Sequence, residues 1–313
     1  MDRDRGATSF SCIDYPHNFE AWDIDFYYVD QLVGEARGIA FQAIADGPLV
    51  AGLLFKMAIG NSFIEQKVTL SAISKELSFK MRVEWKEMRR LLRVDFPIDP
   101  LADTASCDIQ FGYVKRPTRV NTEWDFAKFE YCAHRYVDVS VAGYGIALLN
   151  DCKYGYSSRD GKLGLSLLRS PLYPDPDADI GKHEFSYAFL PHGGDLLAST
   201  VMDRASLLNR PPLVFGNCSL GSVTELPLRA EGEGFAVETL RKADQEEALI
   251  LRIVEKRGIH TEARLFSSGL DARIVECDLM EQTIGESLET SSSVHLNPFE
   301  IKTFKLKHGQ HTS

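Results

Sequence analysis

The chain is 313 residues long, 44% hydrophobic and 26% charged, with a formal net charge of −10. This is the balance of a globular chain, and the negative charge argues against a polyanionic partner such as nucleic acid. The apolar runs are too short for a membrane span, and Met1-Asp2-Arg3-Asp4-Arg5 opens polar with no apolar segment behind it, so neither a membrane partner nor a secretory signal is expected. Six cysteines without Cys-x-x-Cys spacing point to reduced thiols in the cytoplasm rather than a zinc site or a disulfide framework. The triplet Asn217-Cys218-Ser219 fits a glycosylation sequon and reads as a chance match.

In chain order, the first ten residues carry no clear pattern, and residues 12–25 are rich in turn formers and aromatics. The β signal is plain from Leu49. Leu77, Phe79, Met81, Val83 and Trp85 alternate with polar residues, and Leu92, Val94 and Phe96 repeat the pattern against Arg93 and Asp95. The basic run Lys86, Arg89, Arg90 and Arg93 is interleaved with acids and predicts a solvated face. Residues 107–114 read as one strand, with Ile109, Phe111 and Tyr113 on a common face.

Residues 121–155 dominate the middle of the chain. Trp124, Phe126, Phe129, Tyr131, Tyr136, Val137 and Val139 recur with mixed spacing, and the run Ile146-Ala147-Leu148-Leu149 stops abruptly on Asn150-Asp151-Cys152-Lys153. Asp160-Gly161 predicts a hairpin turn. Residues 171–183, with three prolines, predict a loop that leads into the alternating Phe185, Tyr187 and Phe189, and His192 reads as a turn residue. A helix is predicted over 197–208, with Val201, Ala205 and Leu208 on one side. The domains read as 1–210, a glycine- and proline-rich linker over 211–234, and a smaller β unit over 235–313. Paired strands with short polar turns predict an all-β protein of stacked antiparallel sheets.

Several stretches carry a family resemblance. Trp124-Asp125, Phe129-Glu130, Ala133-His134, Asp138, Gly145, the run from Ala147 to Gly155 and Leu165-Ser166-Leu167-Leu168-Arg169-Ser170-Pro171 resemble the C-terminal half of glycoside hydrolase family 38 α-mannosidases, in the cytosolic and vacuolar branch. Ala21-Trp22-Asp23-Ile24-Asp25 is similar to a motif of that branch, with Glu20 where the family has Asp. Asp278-Leu279-Met280-Glu281 and Pro298-Phe299-Glu300-Ile301 look like its terminal β-sandwich.

The resemblance implies a galactose-mutarotase-like supersandwich entered partway, lacking its first strands and so leaving an open sheet edge, followed by a small β-sandwich. Retaining glycoside hydrolysis needs two carboxylates flanking the scissile bond. The family places these, and a zinc ion held by His and Asp ligands including a His-x-Asp pair, in the N-terminal catalytic part. This sequence contains no His-x-Asp, and no catalytic or metal-binding residue carries over, so no cofactor is expected in this chain.

Three loops are candidates for a substrate rim. Trp22 with Asp23 and Asp25 could stack on a sugar and accept its hydroxyls, or Trp22 could be a core aromatic and the aspartates turn caps. Asp151, Lys153 and Tyr154 could bind ligand or form an ion pair closing a strand. Asp179 and His183 lie on the proline-rich loop, where a binding role competes with a hydrogen-bonded structural one. The implied partners are an α-mannose-containing oligosaccharide and either a separately encoded catalytic half or a further copy of the chain. A stand-alone carbohydrate-binding or scaffold module is the alternative.

Overall fold

The computed structural model describes residues 7–99, 102–214, 216, 228–267, 273–289 and 291–307. The chain divides into two compact units, residues 1–109 with 114–212, and residues 110–113 with 213–313. Asn217-Cys218-Ser219 and half of the stretch read as a linker lie outside the described residues, but Leu228–Glu231, near the end of that stretch, is a strand.

Among the described residues the first unit contains two antiparallel sheets. The larger has nine strands in the order Arg37–Asp46, Val50–Ile59, Ser62–Ser71, Leu77–Trp85, Gly181–Gly193, Tyr144–Asn150, Tyr136–Ser140, Thr104–Ile109 and Gly112–Pro117. The smaller has six, in the order Tyr131–Cys132, Gly155–Arg159, Lys162–Arg169, Arg90–Pro97, Thr8–Ile13 and Leu32–Glu35. Period-two alternation decides what lies between them. Phe79, Met81, Val83 and Trp85 from the larger sheet pack in one buried cluster with Leu92, Val94, Phe96, Leu163 and Leu165 from the smaller. Burial of each such side chain stabilises the fold by about 1.5–3 kcal/mol. Trp85 also ties the layers together, its indole Nε1 donating to Ser170 Oγ at 3.1 Å.

The second unit repeats the principle at smaller scale. Leu228–Glu231, Thr261–Ser267 and Ser293–Leu296 form one sheet. Phe235–Lys242, Ala248–Glu255, Ile301–Lys307, Arg273–Cys277 and Thr283–Leu288 form the other. Leu251, Ile253, Leu265, Val294, Phe304 and Leu306 make its core. Pro298 falls between Ser293–Leu296 and Ile301–Lys307, where the chain leaves one sheet for the other.

Asp160 and Gly161 both adopt left-handed φ, 53° and 70°, as the predicted two-residue hairpin requires. Other expectations need correction. Residues 107–114 are two strands, not one, because the chain turns at Gln110 and Phe111, with Phe111 at φ 56°. Alternating apolar residues cannot show such a turn, since the pattern continues through it. Thr8–Ile13, in the stretch without clear pattern, is a strand inside the six-stranded sheet. The predicted helix is a short 3-10 turn, Leu196–Ala198, followed by the helix Val201–Asn209, with Val201 and Ala205 buried.

Arg93 is not on a solvated face. It is 1% exposed, on the side of the six-stranded sheet opposite the core, where residues 120–130 lie over it. His192 is not a turn residue but sits within Gly181–Gly193, buried, its Nε2 donating to Asp138 Oδ1 at 2.7 Å. Ser140 Oγ donates to the other carboxylate oxygen of Asp138 at 2.6 Å.

Burial disfavours charge on His192, but the hydrogen bond and the charge of Asp138 outweigh it and raise the imidazole above its usual value. A raised folded pKa means that this contribution is complete below the unfolded value near 6.5 and is lost as pH rises through the folded one. His192→Gln should therefore flatten the pH dependence of the urea midpoint between about pH 5 and about pH 8, and an unchanged profile would contradict this role.

Candidate functional site

The loop after Thr8–Ile13 is shaped by one side chain from another strand. Arg169, the last residue of Lys162–Arg169, reaches back to it and donates through Nε and Nη2 to both carboxylate oxygens of Asp14. Its Nη2 also donates to the carbonyls of Glu20, at 3.0 Å, and Asp23, and its Nη1 to that of Ala21 at 3.5 Å. A planar guanidinium with five donors is suited to gathering several acceptors from one irregular segment. Asp14 is 2% exposed, and burial pushes its carboxyl up while Arg169 pulls it back.

The same residue fixes the proline-rich loop, because the Arg169 amide donates to Asp179 Oδ2 at 2.9 Å. The Asp179 carbonyl in turn meets His183 Nε2 at 2.8 Å. Glu20 strengthens the junction by accepting from Arg89 Nε at 2.9 Å and from the Leu172 amide at 3.2 Å. The structure thus brings two of the three predicted groups, Trp22-Asp23-Asp25 and Asp179-His183, around Arg169. Trp22 is 69% exposed and is not a core aromatic. Asp25 Oδ2 accepts from the His17 amide at 2.6 Å and Asp23 Oδ1 from the Ile24 amide at 3.1 Å, so each carboxylate is tied to the backbone of its own loop.

The third group lies farther along the same strand. Asp151 Oδ2 accepts from the Ser186 amide at 2.8 Å, and Ser186 is three residues, about 10 Å, from His183. The other oxygen, Asp151 Oδ1, is buried without a hydrogen-bond partner. Asp151 clamps a strand rather than forming the expected bridge to Lys153, whose ammonium stands 4.5 Å from the centre of the Phe185 ring. Tyr154 is exposed and meets His134 edge-on at 5.7 Å.

A second polar centre was not legible as such. Arg93 Nη1 is 2.7 Å from Glu130 Oε1 and donates to Ser166 Oγ at 2.8 Å, while Nη2 donates to Ser157 Oγ at 2.6 Å. Tyr28 Oη donates to the same Glu130 oxygen. Burial pushes the Glu130 carboxyl up against the pull of Arg93. Gly164 makes room for this cluster, since a Cβ there would lie 2.4 Å from Arg93 Nη2 and 2.5 Å from Asp95 Oδ1.

Two antiparallel β-sandwich units, with a polar loop junction presenting an exposed indole, define an all-β module suited to holding a ligand or a partner. The sequence matches the C-terminal domain of the glycosyl hydrolases family 38 over residues 6–177, and the family's C-terminal beta sandwich domain over residues 234–304. The chain therefore belongs to glycosyl hydrolase family 38, of which it carries the C-terminal β domains.

It is 36% identical over 301 residues to Alpha-mannosidase G of Dictyostelium discoideum, covering 92% of this chain and 28% of that protein. It is 37% identical over 277 residues to human Alpha-mannosidase 2C1, covering 86% and 26%. The Saccharomyces cerevisiae Alpha-mannosidase is 30% identical over 337 residues, with 96% of this chain and 31% of that one covered. The chain thus spans less than a third of the length of these relatives. A family 38 protein of Enterococcus faecalis shares the fold, with a TM-score of 0.77 at 15% identity over 96% of this chain and 40% of its own.

Arg169→Met should leave the Asp14 carboxylate buried without its partner, at a cost of about 3–5 kcal/mol. Urea denaturation checks this, and adding Asp14→Asn should recover part of the loss. Full stability of the single variant would show that the junction does not depend on Arg169.

Proposed function

We propose that this chain is the C-terminal β-sandwich portion of a zinc-dependent, retaining α-mannosidase of mannose or oligomannose catabolism, working in the cytoplasm. The two reactive carboxylates and the zinc ligands belong to the catalytic part of the enzyme. Among the described residues no three His, Cys, Asp or Glu side chains converge to hold a metal, so these residues do not fit a zinc site. The Arg169 junction, with Trp22, Asp23, Asp25, Asp179 and His183, contributes a rim that can stack on a sugar and accept its hydroxyls. The strand end at Asp151, Lys153 and Tyr154 is a further contact for substrate.

One observation carries the reading beyond family membership. The nine-stranded sheet overhangs the six-stranded one. Phe41 pairs with Phe55, Phe55 with Gln66 and Gln66 with Met81, so these four share the face that is core at Met81. The same face carries Leu53 and Leu70. Met81 is fully buried, but Phe41 is 75% exposed, and Leu53 and Leu70 are also exposed. A core-type face left open on the outermost strands is the mark of an interaction surface. The relatives' additional length supplies an occupant of the right kind, the catalytic part, on the same polypeptide or a separate one.

The purified chain should not hydrolyse an aryl α-mannoside alone, and adding the family's catalytic part should restore zinc-dependent turnover. Phe41→Asp, at an exposed position, should weaken that association about tenfold or more. Metal-dependent hydrolysis by the purified chain alone would refute the assignment, and self-association through this face would point to a second copy as its occupant.

A further inference from the structure

A groove of about 810 Å³ lies over the outer face of the six-stranded sheet, within the first unit. Phe10 rises into it from Thr8–Ile13, and Phe26 and Phe126 close one side with ring centres 4.7 Å apart. Val29, Leu32 and Val120 also line it, and these three and Phe126 are exposed, so the apolar lining runs out of the groove on to the exterior. Charge enters at the hairpin tip, with Arg159, Asp160 and Lys162, and at Glu35 and Asp95. Arg93 beneath is already engaged by Glu130, Ser157 and Ser166. Rings and aliphatic side chains are what the groove has left to offer.

The chain itself joins this groove to the open face of the nine-stranded sheet. Leu32 is in register with Cys12 and Glu35 with Phe10, and all four line the groove, so the outermost strand Leu32–Glu35 is one of its walls. Ala36 then packs into the core, and Arg37–Asp46 begins at the next residue as the outermost strand of the other sheet. Along this course Tyr27, Val29, Leu32, Val33, Ile39 and Phe41 are all exposed. Apolar residues scattered singly over a surface need no explanation, but a continuous strip of them marks a contact. This strip starts beside the groove, follows the edge of the smaller sheet and ends on the face that carries Phe41. A partner that covered Phe41 alone would leave half of it in water.

We propose that the groove takes an apolar segment of the catalytic part, so that the partner seated on the open face also wraps the Leu32–Glu35 edge. Pockets of this kind hold the buried anchors that dominate an interface. The proposal rests on the assembly reading above and adds to it a second contact, on the far side of the edge strand. Biolayer interferometry tests it with the full chain immobilised and, in solution, the part of Dictyostelium discoideum Alpha-mannosidase G that lies outside its match to this chain. Leu32→Asp and Val120→Asp, both at exposed positions on the groove, should each raise the Kd about tenfold or more, as Phe41→Asp does, with circular dichroism confirming the fold. Should Leu32→Asp fail to fold, Val120→Asp alone decides. Binding that Phe41→Asp weakens and the folded groove variants retain overturns the proposal and leaves the open-face reading standing. No binding by the native chain overturns both.

Discussion

The organisation of the first unit depends on an arginine that has nowhere to go but inward. Arg93 alternates with Leu92 and Val94, so its side chain must leave the sheet on the face away from the core. A guanidinium there could remain in water, yet it is buried, because Glu130 and two serines satisfy it and the Tyr28 ring lies 5.4 Å from it. That pairing binds residues 120–130 and the 3-10 turn Phe26–Asp30 to the outer face of the sheet, with Phe26 packed on Phe126 and Phe129. A buried ion pair of this kind adds little net stability, but losing one partner is severe. It therefore specifies which segment covers the sheet.

The opposite situation holds at the other end of the sandwich. Two stacked sheets bury only what they share, and nine strands over six leave a surplus. At Phe79, Met81 and Val83 the inner face of the larger sheet is core, and at Phe41, Leu53 and Leu70 the same face is open. Solvation does not favour such a surface, and its chemistry is that of an interface. The Arg169 junction has a different physics. It is polar and internally hydrogen-bonded, with each carboxylate engaged by an amide or a guanidinium, so it holds the shape of the loops around Trp22 while leaving the indole exposed.

Much of this was legible because period two is a strong signal where a single face is buried. The strands through Phe79 to Trp85 and Leu92 to Phe96, the Asp160-Gly161 hairpin and the face shared by Phe185 and Tyr187 all follow from it. What alternation cannot report is what lies over the outer face. It places Arg93 opposite the core but is silent about Glu130, distant in sequence, so the pattern alone predicts solvation where the structure has burial. His192 departs from the turn expectation for a related reason, since its partner Asp138 sits on a strand two positions away in the sheet. The turn at Gln110 and Phe111 carries apolar residues through a reversal, which erases the usual polar punctuation. Trp22, Asp23, Asp25 and Asp179 were each visible as loop residues, whereas His183, expected on the proline-rich loop, lies in the strand Gly181–Gly193, paired with Val83. Their common anchor was visible only as part of a motif, although a basic residue at a strand end just before Ser170-Pro171 is a signal that could have singled out Arg169.

The most direct test concerns the edge strand Arg37–Asp46 and the next two strands inward, Val50–Ile59 and Ser62–Ser71. If this face receives the catalytic part of a family 38 enzyme, the amides of Arg37–Asp46 should exchange with deuterium quickly in the chain alone and become protected when that part is added. Protection that appears elsewhere while residues 37–71 stay unchanged, or a mixture in which nothing is protected, would contradict it.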